Sequence, residues 1–219
     1  MSDALLPADV ASDTANRSNQ DALAPRKRPK PGERRVQILQ TLAAMLEQPG
    51  GERITTAALA ARLSVSEAAL YRHFASKAQM FEGLIEFIEQ SVFSLINQIT
   101  EREPAAAASP VGSDGARQAA KIVTMLLQFG EKNPGMARVM VGDALVFENE
   151  RLQQRMNLFF DKVESAVKQA LRAGPGQNAP VVAAVAAAFV AGRLQRYVRS
   201  GFKRLPTEHL DPSLTLILG

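Results

Sequence analysis

The sequence has no cysteine and no tryptophan, and only two of its 219 residues are histidine. Without cysteine, the chain can form no disulfide, no thiolate zinc site and no cysteine nucleophile. A chain without cysteine is suited to a reducing compartment, and we expect a cytoplasmic protein.

Long apolar runs are also missing. The longest one, VVAAVAAAFVA at 181–191, is short and rich in alanine, whereas a membrane-spanning helix needs about 20 predominantly apolar residues. The first residues contain no basic stretch followed by an apolar one, which a secretory signal would require. We therefore expect a soluble protein with no membrane anchor.

Common enzyme motifs are absent as well. The chain contains no G-x-S-x-G, no glycine-rich phosphate loop and no carboxylate–histidine spacing typical of a metal site. We expect no catalytic residue, no metal and no cofactor. His73 has no potential catalytic partner near it in sequence, so a phosphate contact or a packing role is favoured over acid–base or metal chemistry.

Positive charge is concentrated before the first predicted helix. Residues 26–35, RKRPKPGERR, contain six basic side chains and one acidic one, a net charge of +5 in a chain whose total is +4. Residues 1–25 have a net charge of −3 and few large apolar groups, which predicts disorder. The basic arm could neutralise DNA phosphates, although a solubilising tail has the same composition.

Hydrophobic periodicity predicts four helices in the first half of the chain. The first covers about 34–48 and ends at QPGGE, and the second begins at a threonine cap in TTAALAARL. A third follows Ser66, and a fourth extends from Ser76 or Lys77 to about Arg102. The segment EREPAAAASPVGSDG has no periodic apolar face and is predicted to be a mobile connection.

The second half is also predicted to be helical. Asn133 is predicted to cap a helix that begins at Pro134. Farther on, the amphipathic stretch NERLQQRMNLFFDKVESAVKQALRAG is followed by a closing, alanine-rich helix from about Ala179 to Ser200. Small side chains let helices approach closely, so these last two helices are candidates for a dimer interface.

The stretch ITTAALAARLSVSEAALYRHF has the pattern of a helix-turn-helix. Its second helix opens with small residues that could enter a major groove. Tyr71, Arg72, His73 and Lys77 lie near the end of that helix. Their polar groups could bind phosphate oxygens, which would position the protein on a duplex.

These residues carry a resemblance to a known family. The sequence TTAALAARLSVSEAALYRHFASKAQMF resembles the DNA-binding motif of the TetR-type regulators. The resemblance implies an all-α fold, with an N-terminal three-helix helix-turn-helix domain and a C-terminal helical dimerisation domain. We expect a tail with a basic arm at 1–32, a DNA-binding domain at 33–78, and a dimerisation and partner-binding domain at 79–219.

Four segments, the first of which overlaps that motif, narrow the resemblance to the nucleoid-occlusion members of this family. They are RITTAALAARLSVSEAALYRHF, LIEFIEQS, FGEKNPGMARVM and YVRSGFKRLPTEHLD, and the likeness extends from about residue 33 to 212. It implies a nucleoid-associated homodimer that binds palindromic sites in double-stranded DNA and then acts on polymers of the division protein FtsZ. A ligand-responsive transcriptional repressor with the same fold is the alternative. It would need a cavity, whereas the alanine-rich closing helix and the absence of tryptophan favour a filled core.

The resemblance also implies roles for individual residues. Those expected to face DNA are Arg53, Thr55, Thr56, Ser66, Ala68, Ala69, Tyr71, His73 and Lys77. Those expected to face FtsZ are Phe87, Lys132 and Asn133. From periodicity alone, Phe87 could be either an exposed partner contact or part of a wide core face.

The sequence departs from the family at three positions. Ser64 stands where the helix-turn-helix turn commonly has glycine, so a left-handed backbone there would cost about 1–2 kcal/mol. Leu95 stands where relatives have a basic residue, and Gln128 where they have glycine.

Overall fold

The computed structural model describes residues 32–49, 51–101, 114–172 and 178–219. The acidic tail, most of the basic arm and most of the predicted connection lie outside these residues. The described part contains nine α-helices. They are α1 (Glu33–Leu46), α2 (Thr56–Arg62), α3 (Glu67–Tyr71), α4 (Lys77–Glu101), α5 (Asp114–Lys132), α6 (Pro134–Met140), α7 (Glu150–Leu171), α8 (Ala179–Arg199) and α9 (Leu210–Leu218). The all-α prediction is confirmed.

The first three helices form the predicted helix-turn-helix unit. The Thr55 hydroxyl accepts a hydrogen bond from the Ala58 N–H at 3.1 Å, and the Ser66 hydroxyl accepts one from the Ala69 N–H at 3.3 Å. Each satisfies a backbone donor that the first helical turn leaves open. Both predicted helix starts are therefore confirmed.

The turn between α2 and α3 depends on Ser64. Its φ of 54° is left-handed, as expected for a residue at a position where glycine is common. The neighbouring Val65 N–H donates to the Ala60 carbonyl at 3.0 Å, which closes the end of α2. The left-handed backbone therefore turns the chain directly into α3.

Helix α4 joins the helix-turn-helix unit to the rest of the molecule. It contacts α1 on one side, and α5, α6 and α7 elsewhere along its length. Its buried apolar residues belong to one cluster that extends from Ile38 in α1 to Leu218 in α9. The core is therefore continuous between the two predicted domains. The predicted boundary near residue 78 falls at the start of α4, which belongs to both parts of the core, and it stays a proposal.

Helix α8 extends well beyond the apolar run seen in the sequence. It has 21 residues, and by length and composition alone it could cross a membrane. One of its faces, with Ala183, Ala186, Val190 and Leu194, is buried against the protein core. Core helices of folded proteins often have this composition, so the feature by itself is weak evidence for a membrane span.

Two local features differ from the sequence predictions. The chain forms a further helix, α9, whose Leu210, Leu214 and Leu218 are buried and which packs against α5 and α8. Helix α6 begins at Pro134 as predicted, but the predicted side-chain cap is wrong. The Asn133 side-chain amide instead donates to the Phe129 carbonyl at 2.8 Å, and this carbonyl also accepts from the Asn133 backbone N–H at 3.0 Å.

Candidate DNA-binding surface

Helix α3 is attached to the core by one face and exposes the other. Leu70 is buried, whereas Glu67, Ala68 and Tyr71 are exposed. The small side chain at Ala68 leaves the backbone accessible, and the exposed phenol of Tyr71 can donate a hydrogen bond. This face therefore offers a small side chain and a hydroxyl donor to a partner.

A polar cluster connects the starts of α2 and α3. The Thr56 hydroxyl donates to Glu67 Oε2 at 2.5 Å, and the Tyr71 hydroxyl lies 3.5 Å from Thr56 Oγ1. Thr56 and Tyr71, both predicted to face DNA, are thus brought together. Glu67 was not predicted here, because an acidic residue in the first turn of a helix is ordinarily explained by the helix dipole.

Ala69 on α3 and His73 just after α3 lie beside α1. With Arg34 and Arg72 they line a cavity of about 280 Å³. Ala69 is half-buried and His73 is exposed. Ala69 is therefore less accessible to a base edge than its neighbour Ala68.

Arg35 of α1 contacts the residues that directly follow α3. Its Nη1 donates to the His73 carbonyl at 3.0 Å, and its guanidinium lies 4.1 Å from the centroid of the Phe74 ring. Further exposed basic side chains surround the helix-turn-helix together with Arg35. They are Arg53, Arg62, Arg72 and His73. They give the unit a predominantly basic rim, which is the electrostatic character that DNA phosphates require.

Two cations predicted to face DNA contact the second half of the chain. The Lys77 ammonium forms an ion pair with Glu148, and the Arg53 guanidinium lies 4.4 Å from the centroid of the Phe147 ring. No feature of the sequence predicted Phe147 or Glu148, because Glu148 lies 71 residues from its partner. These contacts depend on how distant parts of the chain pack together.

The residues predicted to face FtsZ lie on α4 and at the α5–α6 junction. Phe87 is 47% exposed, which excludes the alternative that it belongs to a wide core face. Lys132 is exposed, whereas Asn133 is half-buried and its amide is already bonded to α5. Phe87 and Lys132 are therefore accessible to a partner, and Asn133 is less so.

Two family models match the chain. Residues 38–84 match the model described as bacterial regulatory proteins of the tetR family. Residues 115–218 match a SlmA-like model described as a tetracyclin repressor-like C-terminal domain. The first match contains α2, α3 and the turn between them.

Curated relatives are similar over most of the chain. The nucleoid occlusion factor SlmA of Shewanella frigidimarina is 48% identical over 191 residues, which are 84% of this chain and 92% of the relative. The protein of the same name from Shewanella sediminis is 50% identical over 185 residues, covering 81% and 89% of the two chains. That of Idiomarina loihiensis is 48% identical, with 81% and 90% covered.

Solved structures share the fold at much lower identity. The fatty acid degradation regulator FadR of Bacillus halodurans has a TM-score of 0.68 at 14% identity and covers 87% of this chain and 97% of its own. A transcriptional regulator from Rhodococcus has a TM-score of 0.66 at 22% identity, with 84% and 94% covered. Both structures show that the chain shares this all-helical fold. On the combined evidence of sequence and fold, the chain belongs to the TetR-type regulators and, within them, to the family of the nucleoid occlusion factor SlmA.

Proposed function

We propose that this protein is a nucleoid-associated homodimer that binds palindromic DNA and, when bound, antagonises the assembly of FtsZ polymers. The observation that carries the proposal is the exposed helix-turn-helix surface in a chain about half identical to proteins named nucleoid occlusion factor. Ala68 and Tyr71, two of the residues expected to face DNA, are exposed on this surface. In a dimer, the two α3 helices would enter successive major grooves about 34 Å apart.

A second copy of the chain is expected to pack on α8. The face opposite its buried one carries small and apolar residues at helical spacing, all of them exposed. They are Val181, Ala184, Val185, Ala188 and Gly192. A methyl group added at Gly192 would meet nothing within 4 Å. Such a face allows another helix to approach closely, which supports the two-helix dimer interface predicted from the sequence.

Replacing Val185 with glutamate is expected to convert the dimer into a monomer. Val185 is 49% exposed in the single chain, so the charge is compatible with the folded protomer but would be buried without a partner between two copies. Sedimentation velocity gives the mass, and circular dichroism verifies the helical content. Leu216→Glu places the same charge at an exposed position of α9 and is expected to leave the dimer intact. A dimeric Val185→Glu variant would exclude α8 from the interface.

Lys132→Ala is expected to leave DNA affinity within about twofold of wild type while weakening the effect on FtsZ. Lys132 is exposed at the end of α5, outside the helix-turn-helix, so its charge can contribute to a protein contact without touching DNA. Lys168→Ala removes the same charge from α7 and serves as the control. If both variants act on FtsZ as strongly as wild type, Lys132 does not belong to the partner surface.

The proposed function is tested by sedimenting FtsZ polymers with this protein, in the presence and absence of DNA fragments recovered from its chromosomal sites. We expect polymer to be lost only when the DNA is present. An unchanged pellet under both conditions would contradict the proposal.

One observation favours the repressor alternative. A groove of about 720 Å³ lies between α4, α5 and α7, with Phe93, Ile96 and Leu158 on its apolar part and Asp161 and Lys162 among its polar lining. Its volume would accommodate a small ligand. Binding to a promoter that a small molecule releases, together with no effect on FtsZ polymer, would support this alternative.

A further inference from the structure

We propose that the loop formed by residues 146–148 holds the helix-turn-helix unit through Lys77 and Arg53 in the DNA-free protein, and that DNA phosphates displace it. The loop connects the short 3₁₀ turn Asp143–Leu145 to α7. The inference rests on the proposed DNA-binding surface. It adds that the second half of the chain competes with DNA for two cations of that surface.

The ion pair between Lys77 and Glu148 is the more buried of the two contacts. Glu148 is nearly buried, with 8% of its side chain exposed, whereas 32% of the Lys77 side chain is exposed. A carboxylate with so little access to water depends on its cationic partner. A phosphate that approached Lys77 would also approach Glu148, so the two anions compete for one ammonium group.

The second contact places an exposed aromatic ring against a cation. Phe147 is 59% exposed and its neighbour Val146 is 62% exposed, so burial of these two side chains contributes little to holding the loop. The Arg53 guanidinium covers one face of the Phe147 ring. Arg53 ends a 3₁₀ turn two residues before the Thr55 cap, so a phosphate bound at the start of α2 would attract the same guanidinium.

Other ion pairs between α4 and α7 lie farther from the helix-turn-helix. Arg151 pairs with Glu82 at 3.4 Å, and Arg155 pairs with Glu89 at 2.7 Å. None of these four residues is proposed to contact DNA, so these pairs can persist when DNA binds. Only the contacts of the 146–148 loop are expected to open. Exposure of Glu148 and of the face of the Phe147 ring that Arg53 covers would then report on DNA occupancy.

The first test measures DNA affinity for Glu148→Gln in the full-length protein. The probe is a fluorescent duplex selected from random-sequence DNA by the wild-type protein, and anisotropy gives Kd. We expect Glu148→Gln to bind about fivefold more tightly, because the phosphate no longer competes with a carboxylate. Glu82→Gln makes the same change in net charge within an α4–α7 pair and should stay within about twofold of wild type.

The second test uses the absence of tryptophan from the chain. In Phe147→Trp the introduced indole is the only one, and it reports directly on the loop. We expect its emission to shift to longer wavelength at saturating DNA, because the ring leaves Arg53 and gains water contact. An emission spectrum that does not change at saturation would overturn the proposal, as would equal affinities for Glu148→Gln and Glu82→Gln.

A further variant, Lys77→Ala, distinguishes two hypotheses: that the 146–148 loop competes with DNA, and that the helix-turn-helix surface binds DNA. We expect it to weaken DNA binding. If it does so while Glu148→Gln has no effect, the loop proposal fails and the DNA-binding surface stands. If Lys77→Ala leaves affinity unchanged, the competition for Lys77 is refuted, and the DNA-binding surface is then judged by variants at Thr55.

Discussion

Gly135→Ala is expected to lower the free energy of unfolding by about 2–4 kcal/mol. A Cβ at this position would lie 2.0 Å from the carbonyl oxygen of Ala43 and 2.9 Å from its carbonyl carbon. Both atoms are backbone, so no side-chain rotation can relieve the overlap, and α6 would have to move away from α1. Chemical denaturation followed by circular dichroism measures the loss.

The matched control for this substitution is Gly192→Ala. Gly192 lies within α8 and has open space around it in the single chain, so alanine there is expected to be neutral or stabilising by up to about 1 kcal/mol. Both glycines are best compared in the Val185→Glu background, where contact between two copies does not contribute. Equal stabilities of the two alanine variants would show that α1 and α6 are not in tight backbone contact.

Because α1 belongs to the helix-turn-helix and α6 to the following part of the chain, the contact at Gly135 also helps to position the DNA-binding unit. Arg138 adds to the same junction, since its Nη1 donates to the Gln48 carbonyl at 3.2 Å. The unit is therefore attached to the protein at α4, at the α1–α6 contact, between the 3₁₀ turns Gly51–Arg53 and Asp143–Leu145, and at the 146–148 loop. The loop contacts the charged groups of Lys77 and Arg53, which are also proposed to bind DNA.

Thr55→Asp is expected to reduce DNA affinity by about 100-fold or more while preserving the fold. Aspartate is as good a helix N-cap as threonine, so it can accept the hydrogen bond from the Ala58 N–H that Thr55 accepts now. Its negative charge would, however, lie where a phosphate is expected at the start of α2, and like charges at that distance repel strongly. Anisotropy with the selected duplex measures the loss, and thermal unfolding verifies the fold.

Two controls test whether the loss of DNA affinity comes from a negative charge at this position, and not from the loss of threonine or from the added charge alone. Thr55→Ser keeps the hydroxyl cap and is expected to bind DNA within a few-fold of wild type. Asn157→Asp adds the same charge at an exposed position of α7 and should have only a small effect. If Thr55→Asp binds as tightly as Thr55→Ser, Thr55 does not lie on the DNA surface.

Several features of the fold could be predicted from the sequence because they depend on neighbouring residues. A hydroxyl at Thr55 or Ser66 reaches a backbone N–H only three residues away. The left-handed turn at Ser64 is set by the few residues between two helices. The helical spacing of apolar residues likewise predicted where α4, α7 and α8 lie, since one buried face repeats every three or four positions.

Other predictions failed because the local pattern was ambiguous or incomplete. The amide of Asn133 could bond either forward to α6 or back to α5, and the path of the chain selected the carbonyl of Phe129. Helix α9 follows a segment without clear periodicity, and its leucines are buried only because α5 and α8 provide a surface for them.

The sequence by itself determined the helical fold, the helix-turn-helix with its two hydroxyl caps, and the family to which the chain belongs. The tertiary structure decided which side chains remain available to a partner. Phe87 is exposed, Lys77 is paired with Glu148, and Gly135 lies against the backbone of Ala43. The physical reason is that caps and periodicity arise within one helix, whereas these contacts arise where helices distant in sequence pack together.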